Sequence, residues 1–101
     1  MWILQRSEKD DDAITFRLRT GAVKTLGRAP RADFVLDAAL VSRLHCRLTA
    51  SDHALEVVDL SSTNGTFVND KRVNKAALKS GDRLRIGRVE LNVEKRKMAN
   101  G

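Results

Sequence analysis

Residues 27–50 read GRAPRADFVLDAALVSRLHCRLTA, and residues 55–69 read LEVVDLSSTNGTFVN. Short apolar runs in both stretches alternate with loops rich in arginine, serine, threonine and asparagine. A Gly-Arg pair, a Ser-Arg-Leu-His cluster and a Ser-Thr-Asn-Gly-Thr cluster each stand where a strand is expected to give way to a loop. Hydroxyl, amide and guanidinium groups gathered on loops are suited to binding an anion.

Outward from this stretch, short strands continue in both directions along the chain. Residues 14–19, ITFRLR, alternate apolar and polar side chains, as do residues 89–94, VELNVE. Tight turns are expected at Ser51-Asp52-His53, Asn69-Asp70 and Gly87-Arg88. The run Ala76-Ala77-Leu78 could begin a helix but is too short to stand alone. Roughly ten short strands and no long helix predict an all-β fold, a sandwich or a barrel, which strand count alone does not separate.

Length and composition limit the class of protein. A chain of 101 residues predicts one domain, and its 42% hydrophobic and 32% charged residues are ordinary for a globular fold. Nineteen Lys and Arg against thirteen Asp and Glu give a net charge of +6, which favours an anionic partner. The single cysteine, Cys46, cannot form an internal disulfide. With no secretory signal and no apolar run long enough to cross a bilayer, we expect an intracellular protein without a membrane partner.

Catalytic and metal sites are weakly supported. Ser42 and His45 could form a nucleophile pair, but a triad also needs an orienting acid and an oxyanion hole, and nothing marks Asp59 as that acid. His45 and Cys46 are adjacent on a strand and should point to opposite faces, and with His53 they lack the spacing of a metal site. We therefore expect no enzyme activity, no catalytic residue, no metal and no cofactor.

Four segments together resemble the forkhead-associated (FHA) domain family. They are Gly27-Arg28, Ser42-Arg43-Leu44-His45, the run from Ser62 to Asn69, and the run from Lys79 to Gly87. Their order and spacing both match the family, and the resemblance covers nearly the whole chain. It implies a twisted β-sandwich of about eleven short strands, FHA/SMAD-like, whose loops at one end bind phosphothreonine peptides.

The resemblance also implies roles for individual residues. By position, the phosphopeptide would be bound by Arg28, Ser42, Arg43, Thr63, Asn64, Asn69 and Ser62. Among these, Arg28, Ser42 and Thr63 would contact the phosphate, and Asn64 would bond to the peptide backbone. Asn69 would brace the loops or touch the peptide. The residues implied to be architectural are Gly27, His45 and Gly65. The expected partner is thus a phosphothreonine-containing protein or peptide, with no small-molecule substrate.

The two ends of the chain suggest its context. We expect an FHA domain over residues 1–95 and a basic flexible tail, or the start of a linker, over residues 96–101. The opening Met1-Trp2-Ile3-Leu4 resembles the start of nibrin-like DNA-repair proteins, in which an FHA domain begins at the first residues. That resemblance implies a nuclear protein of the DNA-damage response.

The alternative is a small basic nucleic-acid-binding domain, which only the charge of +6 supports. A single-strand binder normally offers aromatic side chains on which bases stack. This chain has no Tyr, one Trp and three Phe, most at positions in phase with the core. Nucleic acid is therefore not the expected partner, and the sequence leaves the oligomeric state open.

Overall fold

The computed structural model describes residues 1–6 and 14–97, and within these ranges it contains eleven strands. They are β1 (Trp2–Arg6), β2 (Thr15–Leu18), β3 (Val23–Gly27), β4 (Phe34–Val35), β5 (Cys46–Ala50), β6 (Leu55–Asp59), β7 (Thr66–Val68), β8 (Lys71–Val73), β9 (Lys75–Leu78), β10 (Arg83–Ile86) and β11 (Val89–Lys95). In the same ranges no helix combines the length and the hydropathy needed to span a membrane.

The strands form two sheets that enclose one core. The six-stranded sheet has the order β2-β1-β11-β10-β7-β8, and the five-stranded sheet has the order β4-β3-β5-β6-β9. Strands β3 and β4 pair in parallel, whereas the remaining pairs are antiparallel. The prediction of an eleven-stranded β-sandwich is therefore confirmed, and the barrel alternative is excluded.

Alternating side chains build the core between the sheets. In β5, Cys46, Leu48 and Ala50 are buried, and alternate positions of β11 are buried in the same way. Trp2 of β1 is 1% exposed, and its indole N–H donates to the carbonyl oxygen of Ser51 at 2.8 Å. Burying each large apolar side chain contributes about 1.5–3 kcal/mol, so this core holds the two sheets together.

The structure adds detail at β9 and just after β11. Ala76 and Leu78 belong to a strand that pairs with β6, because sheet pairing and burial of Leu78 outweigh the helix propensity of alanine. The amide of Arg96 donates to the carbonyl oxygen of Met1 at 2.8 Å, so pairing continues one residue past β11. Residues 98–101 of the expected tail lie outside the described residues.

Strand pairing brings three chain segments to one end of the sandwich. Cys46, at the start of β5, pairs with Leu26 near the end of β3 and with Asp59 at the end of β6. The segment after β3, the loop before β5 and the loop between β6 and β7 therefore meet at this end. These segments carry the Gly-Arg, Ser-Arg and Ser-Thr-Asn-Gly motifs.

Candidate functional site

The end of β3 and the loop before β5 approach most closely at Gly27. A Cβ at this position would lie 2.0 Å from the carbonyl oxygen of Arg43, so only glycine fits. The amide of Arg28 donates to the carbonyl oxygen of Ser42 at 2.9 Å, and the amide of Ala29 to that of Arg43 at 3.0 Å. These bonds fix Arg28 beside Ser42 and Arg43.

The Arg28 side chain is exposed but anchored at one atom. Its Nε–H donates to the carbonyl oxygen of Val41 at 3.1 Å. Within residues 1–6 and 14–97 its guanidinium makes no ion pair and no second hydrogen bond. The two terminal amino groups therefore remain available to bind an anion, in a direction that the Nε bond sets.

Two hydroxyl groups and an amide lie beside this guanidinium. The Ser42 Oγ accepts the backbone N–H of Thr63 at 3.0 Å, so its own proton is left to donate elsewhere. The Thr63 side chain is exposed. The Asn64 Nδ2 donates to the carbonyl oxygen of Leu40 at 3.3 Å, a long bond that joins the two loops across the site.

His45 lies beneath the two loops and is fully buried. Its Nδ1 accepts the backbone N–H of Ser42 at 3.0 Å, and its Nε2 lies 2.8 Å from the carbonyl oxygen of Gly65. An acceptor at Nδ1 and a donor at Nε2 together define the neutral ring with its proton on Nε2. His45 thus joins the loop before β5 to the loop before β7.

This geometry argues against the hydrolase and metal alternatives. Both nitrogens of His45 bond to backbone groups, so neither can take a proton from the Ser42 hydroxyl. Burial raises the pKa of Cys46 to about 12, which keeps the thiol protonated, and His53 is exposed on a separate turn. Among the described residues no group of three or more His, Cys, Asp and Glu side chains converges as a metal site.

Asp59 organises the loop between β6 and β7. Its carboxylate accepts hydrogen bonds from the Ser62 amide at 3.0 Å, the Ser62 hydroxyl at 2.5 Å and the Thr66 hydroxyl at 2.7 Å. Burial by itself would raise the pKa of Asp59, but these hydrogen bonds outweigh burial and hold the pKa below its ordinary value. The charged carboxylate therefore stabilises the loop.

Ser62 faces the interior of this loop. It is 8% exposed, and its Oγ also accepts the Gly65 amide at 2.9 Å. Gly65 has φ +91°, a conformation that favours glycine. The structure therefore turns Ser62 toward the loop interior while its neighbour Thr63 stays exposed.

The side chains of Arg28, Ser42 and Thr63 lie around a cleft of about 650 Å³. Its lining residues are Arg28, Asp37, Ala38, Ala39, Leu40, Val41, Ser42, Arg43, Thr63 and Asn64. The structure thus brings together five of the residues expected to bind the peptide, and it does not bring Ser62 or Asn69 to the lining.

Asn69 lies at the opposite end of β7 from this cleft. With φ +49° it forms a turn with Asp70, whose φ is +72°. Its side-chain amide donates to Asp82 at 3.1 Å and accepts the Arg83 amide at 2.9 Å. Of the two expected roles, the structure therefore favours bracing, because the Asn69 side chain holds this turn and does not line the cleft.

Sequence reasoning missed most of the cleft wall over residues 37–41. Leu40 has φ +69° and is 45% exposed, an uncommon conformation for a leucine. The turn at Gly87 packs against this wall, since a Cβ there would lie 2.8 Å from the carbonyl oxygen of Ala39. No sequence signal marks this contact, although the apolar run ahead of Ser42 could have been flagged.

The aromatic side chains give no support to the nucleic-acid alternative. Trp2 is buried, and Phe16 stacks on Phe34 with ring centroids 4.7 Å apart against the core. Phe67 is partly buried, and the Arg85 guanidinium lies 4.1 Å from its ring centroid. Among the described residues, therefore, no aromatic side chain is fully exposed as a platform on which bases could stack.

Comparison with known proteins finds a matching family model and similar solved structures. A family model described as FHA domain matches residues 24–87. A solved structure described as "Structural and functional analysis of phosphothreonine-dependent FHA domain interactions" is 34% identical and superposes with a TM-score of 0.84. The alignment covers 96% of this chain and 98% of that one.

Two curated relatives come from bacteria. The oxoglutarate dehydrogenase inhibitor of Corynebacterium diphtheriae is 45% identical over 67 residues, which cover 66% of this chain and 47% of the relative. The glycogen accumulation regulator GarA of Mycobacterium tuberculosis is 40% identical over 70 residues, which cover 69% and 43% respectively. The chain therefore spans less than half the length of these relatives.

These relatives correct the context expected from the first four residues. Bacteria have no nucleus, so the expected nuclear location is wrong. The relatives also give no support to a nibrin-like identity or to a role in DNA repair. The residues behind that short resemblance, Trp2, Ile3 and Leu4, belong to β1 and are buried in the core. Their apolar character is explained by packing and does not indicate a function.

Proposed function

The chain belongs to the FHA domain family, and we propose that it is a phosphothreonine-dependent peptide-binding module rather than an enzyme. The observation that carries the proposal is the cleft in which Arg28, Ser42, Arg43 and Thr63 meet. Two guanidinium groups and two hydroxyl groups face one opening there, and Asp37 is the one acidic residue in the lining. This arrangement favours a dianionic ligand.

In this proposal the phosphate of the peptide lies between Arg28, Ser42 and Thr63. The bond from Arg28 Nε to the Val41 carbonyl oxygen orients the terminal amino groups, which suit two parallel bonds to phosphate oxygens. The Ser42 hydroxyl, whose oxygen accepts the Thr63 amide, donates its proton to a third oxygen. Little side-chain entropy is then lost on binding, because these groups are oriented in advance.

Asn64 and Arg43 are proposed to bind the peptide rather than its phosphate alone. The 3.3 Å bond from Asn64 to the Leu40 carbonyl oxygen is long, so exchange for a bond to a peptide backbone carbonyl costs little. The exposed Arg43 guanidinium reaches either the phosphate or the backbone beside it. The apolar wall over residues 38–41 receives a neighbouring side chain of the peptide.

The supporting residues act through the backbone of the loops. Gly27 permits the close approach of Arg43, and His45 joins the two loops at the carbonyl oxygen of Gly65. We assign Ser62 to this supporting group, because its hydroxyl bonds within its own loop. Asn69 is assigned to bracing the turn after β7.

We propose that this domain spans residues 1–95 and that a linker begins at residues 96–101. The matched segments cover only 47% and 43% of the two curated relatives, and we propose by analogy that the module serves a larger protein by binding a phosphorylated partner. The relatives' names describe an inhibitor and a regulator, which supports a role in phosphorylation-dependent signalling. A phosphothreonine peptide library is the screen that would define the preferred sequence.

We expect the module to bind a phosphothreonine peptide more tightly than its phosphoserine counterpart. The phosphate is the same on both side chains, so discrimination must come from the extra methyl and the apolar wall near it. Burying one methyl contributes about 0.8 kcal/mol, and a shaped pocket raises discrimination by one carbon to roughly 10–200-fold. The β-branch also restricts the rotamer of the free peptide.

Calorimetric titration of two peptides that differ only by this methyl provides the measurement. We expect the phosphothreonine form to bind at least about fourfold more tightly. Equal affinities in one buffer would show that the cleft binds charge without recognising the side chain. The assignment to phosphothreonine would then be withdrawn.

A further inference from the structure

A second cleft of about 540 Å³ adjoins the first. Its lining residues are Arg28, Ala29, Pro30, Arg31 and Arg43. Arg28 and Arg43 line both clefts, so the two clefts lie side by side at these residues. The second cleft has three arginines in its lining and no acidic residue, which makes it the more cationic of the two.

The loop that carries Arg31 is held in a fixed conformation. The amide of Ala32 donates to the carbonyl oxygen of Ala29 at 3.0 Å, and Ala32 is 6% exposed. Asp33 closes the loop against Thr25, whose amide and hydroxyl donate to its carboxylate at 2.9 and 3.1 Å. The proline between Ala29 and Arg31 further restricts the backbone. Arg31 is thus presented from a rigid turn.

Neither Arg31 nor Arg43 is neutralised by an acidic side chain within residues 1–6 and 14–97. In the described part of the chain their side chains make no ion pair, whereas Arg83 bonds to Asp70 at 3.2 Å and Arg96 to Glu94 at 3.0 Å. The acid nearest to Arg31 in sequence, Asp33, is engaged with Thr25. Because Arg31 does not line the first cleft, a single phosphate bound there would leave the charge of Arg31 uncompensated.

We propose that Arg28, Arg31 and Arg43 form a second anion subsite, which binds a second phosphoryl or carboxylate group on the same phosphothreonine peptide. This inference rests on the proposed function. Guanidinium groups bind both kinds of anion with the same paired hydrogen bonds. Because the clefts adjoin and an extended peptide advances roughly 3.3 Å per residue, the second anion lies within a few residues of the phosphothreonine.

The test compares one phosphothreonine peptide with versions that carry a second anionic residue, placed at one neighbouring position at a time. Phosphothreonine and glutamate are tried at each position, which separates a phosphoryl from a carboxylate preference. At the best position we expect affinity to rise about tenfold. The gain should shrink as salt concentration increases, because both charges are partly exposed.

The variant Arg31→Gln identifies the residue responsible. We expect it to bind the singly phosphorylated peptide within about twofold of wild type and to lose most of the gain from the second anion. Arg19→Gln is the matched control, since Arg19 is exposed in the turn between β2 and β3 at the opposite end of the sandwich. This control removes the same charge and should keep the gain.

The outcomes separate this inference from the proposed function. If the singly phosphorylated peptide binds but no second anion improves affinity, the second subsite is overturned and the proposed function stands. The same conclusion follows if Arg31→Gln keeps the full gain, or if Arg19→Gln loses it equally. If no phosphothreonine peptide binds, the proposed function fails and the second subsite fails with it.

Discussion

Replacing Arg28 with alanine is expected to lower the affinity for a phosphothreonine peptide by at least about 100-fold while the domain stays folded. Each charge-assisted hydrogen bond from the guanidinium to phosphate contributes roughly 1.5–3 kcal/mol, and two such bonds account for this loss. In the free protein the side chain is exposed and makes one hydrogen bond, to Val41. Its removal should therefore cost stability only about 1 kcal/mol.

Two matched variants sharpen this test by calorimetry and thermal melting. Arg28→Lys keeps the charge but loses the planar pair of donors, so its affinity should fall between those of wild type and alanine. Arg19→Ala removes an equal charge at the opposite end and should bind like wild type. An Arg28→Ala protein that melts normally and binds the phosphopeptide as wild type does would contradict the proposed site.

Replacing Gly27 with alanine is expected to destabilise the domain by about 3 kcal/mol or more. The new Cβ would lie 2.0 Å from the carbonyl oxygen of Arg43 and 2.9 Å from the Cα of Leu44. Both are backbone atoms, so no side-chain rotation relieves the clash, and the end of β3 must move away from the loop before β5. Roughly 10–20 °C should be lost from the Tm. Phosphopeptide affinity, measured where the variant is still folded, should also fall because Arg28 moves relative to Ser42.

Gly21→Ala is the control for this substitution. A Cβ at Gly21 would meet nothing within 4 Å, although its φ of +94° makes any side chain there strained. We expect Gly21→Ala to cost about 1–2 kcal/mol and to leave phosphopeptide affinity unchanged. If Gly27→Ala melts no lower than Gly21→Ala and binds peptide normally, the close approach does not position Arg28.

Most strands could be predicted because the alternation of apolar and polar residues along a strand follows which side chains are buried. Cys46, Leu48 and Ala50 alternate with polar residues in the sequence, and in the structure they point into the core. The strand containing Ala76 and Leu78 could not be predicted in the same way. Its residues favour helix locally, and only pairing with β6 makes them a strand.

Part of the site could be predicted and part could not. The family resemblance implies that Arg28, Ser42 and Thr63 contact the phosphate, and the structure brings these three residues to one cleft. The opposite orientations of Ser62 and Thr63 were not predictable, since adjacent hydroxyl residues look equivalent in sequence. The difference arises from Asp59, whose carboxylate accepts two hydrogen bonds from Ser62.

Contacts between distant segments account for the remaining differences. The wall that contains Leu40 depends on packing against the turn at Gly87, which lies far away in sequence. The cleft beside Arg31 depends on how the end of β3 meets the loop before β5. Neither relation leaves a local pattern, so both emerge only from the folded structure.

The most direct measurement of the central claim is the affinity of the wild-type domain for a phosphothreonine peptide and for its unmodified twin. The peptide is the best sequence from the library screen, and both forms are titrated in one buffer by calorimetry. We expect the phosphorylated form to bind at least about 100-fold more tightly, because the bonds to Arg28, Ser42 and Thr63 need the phosphate. Equal affinity for the two forms would contradict the account.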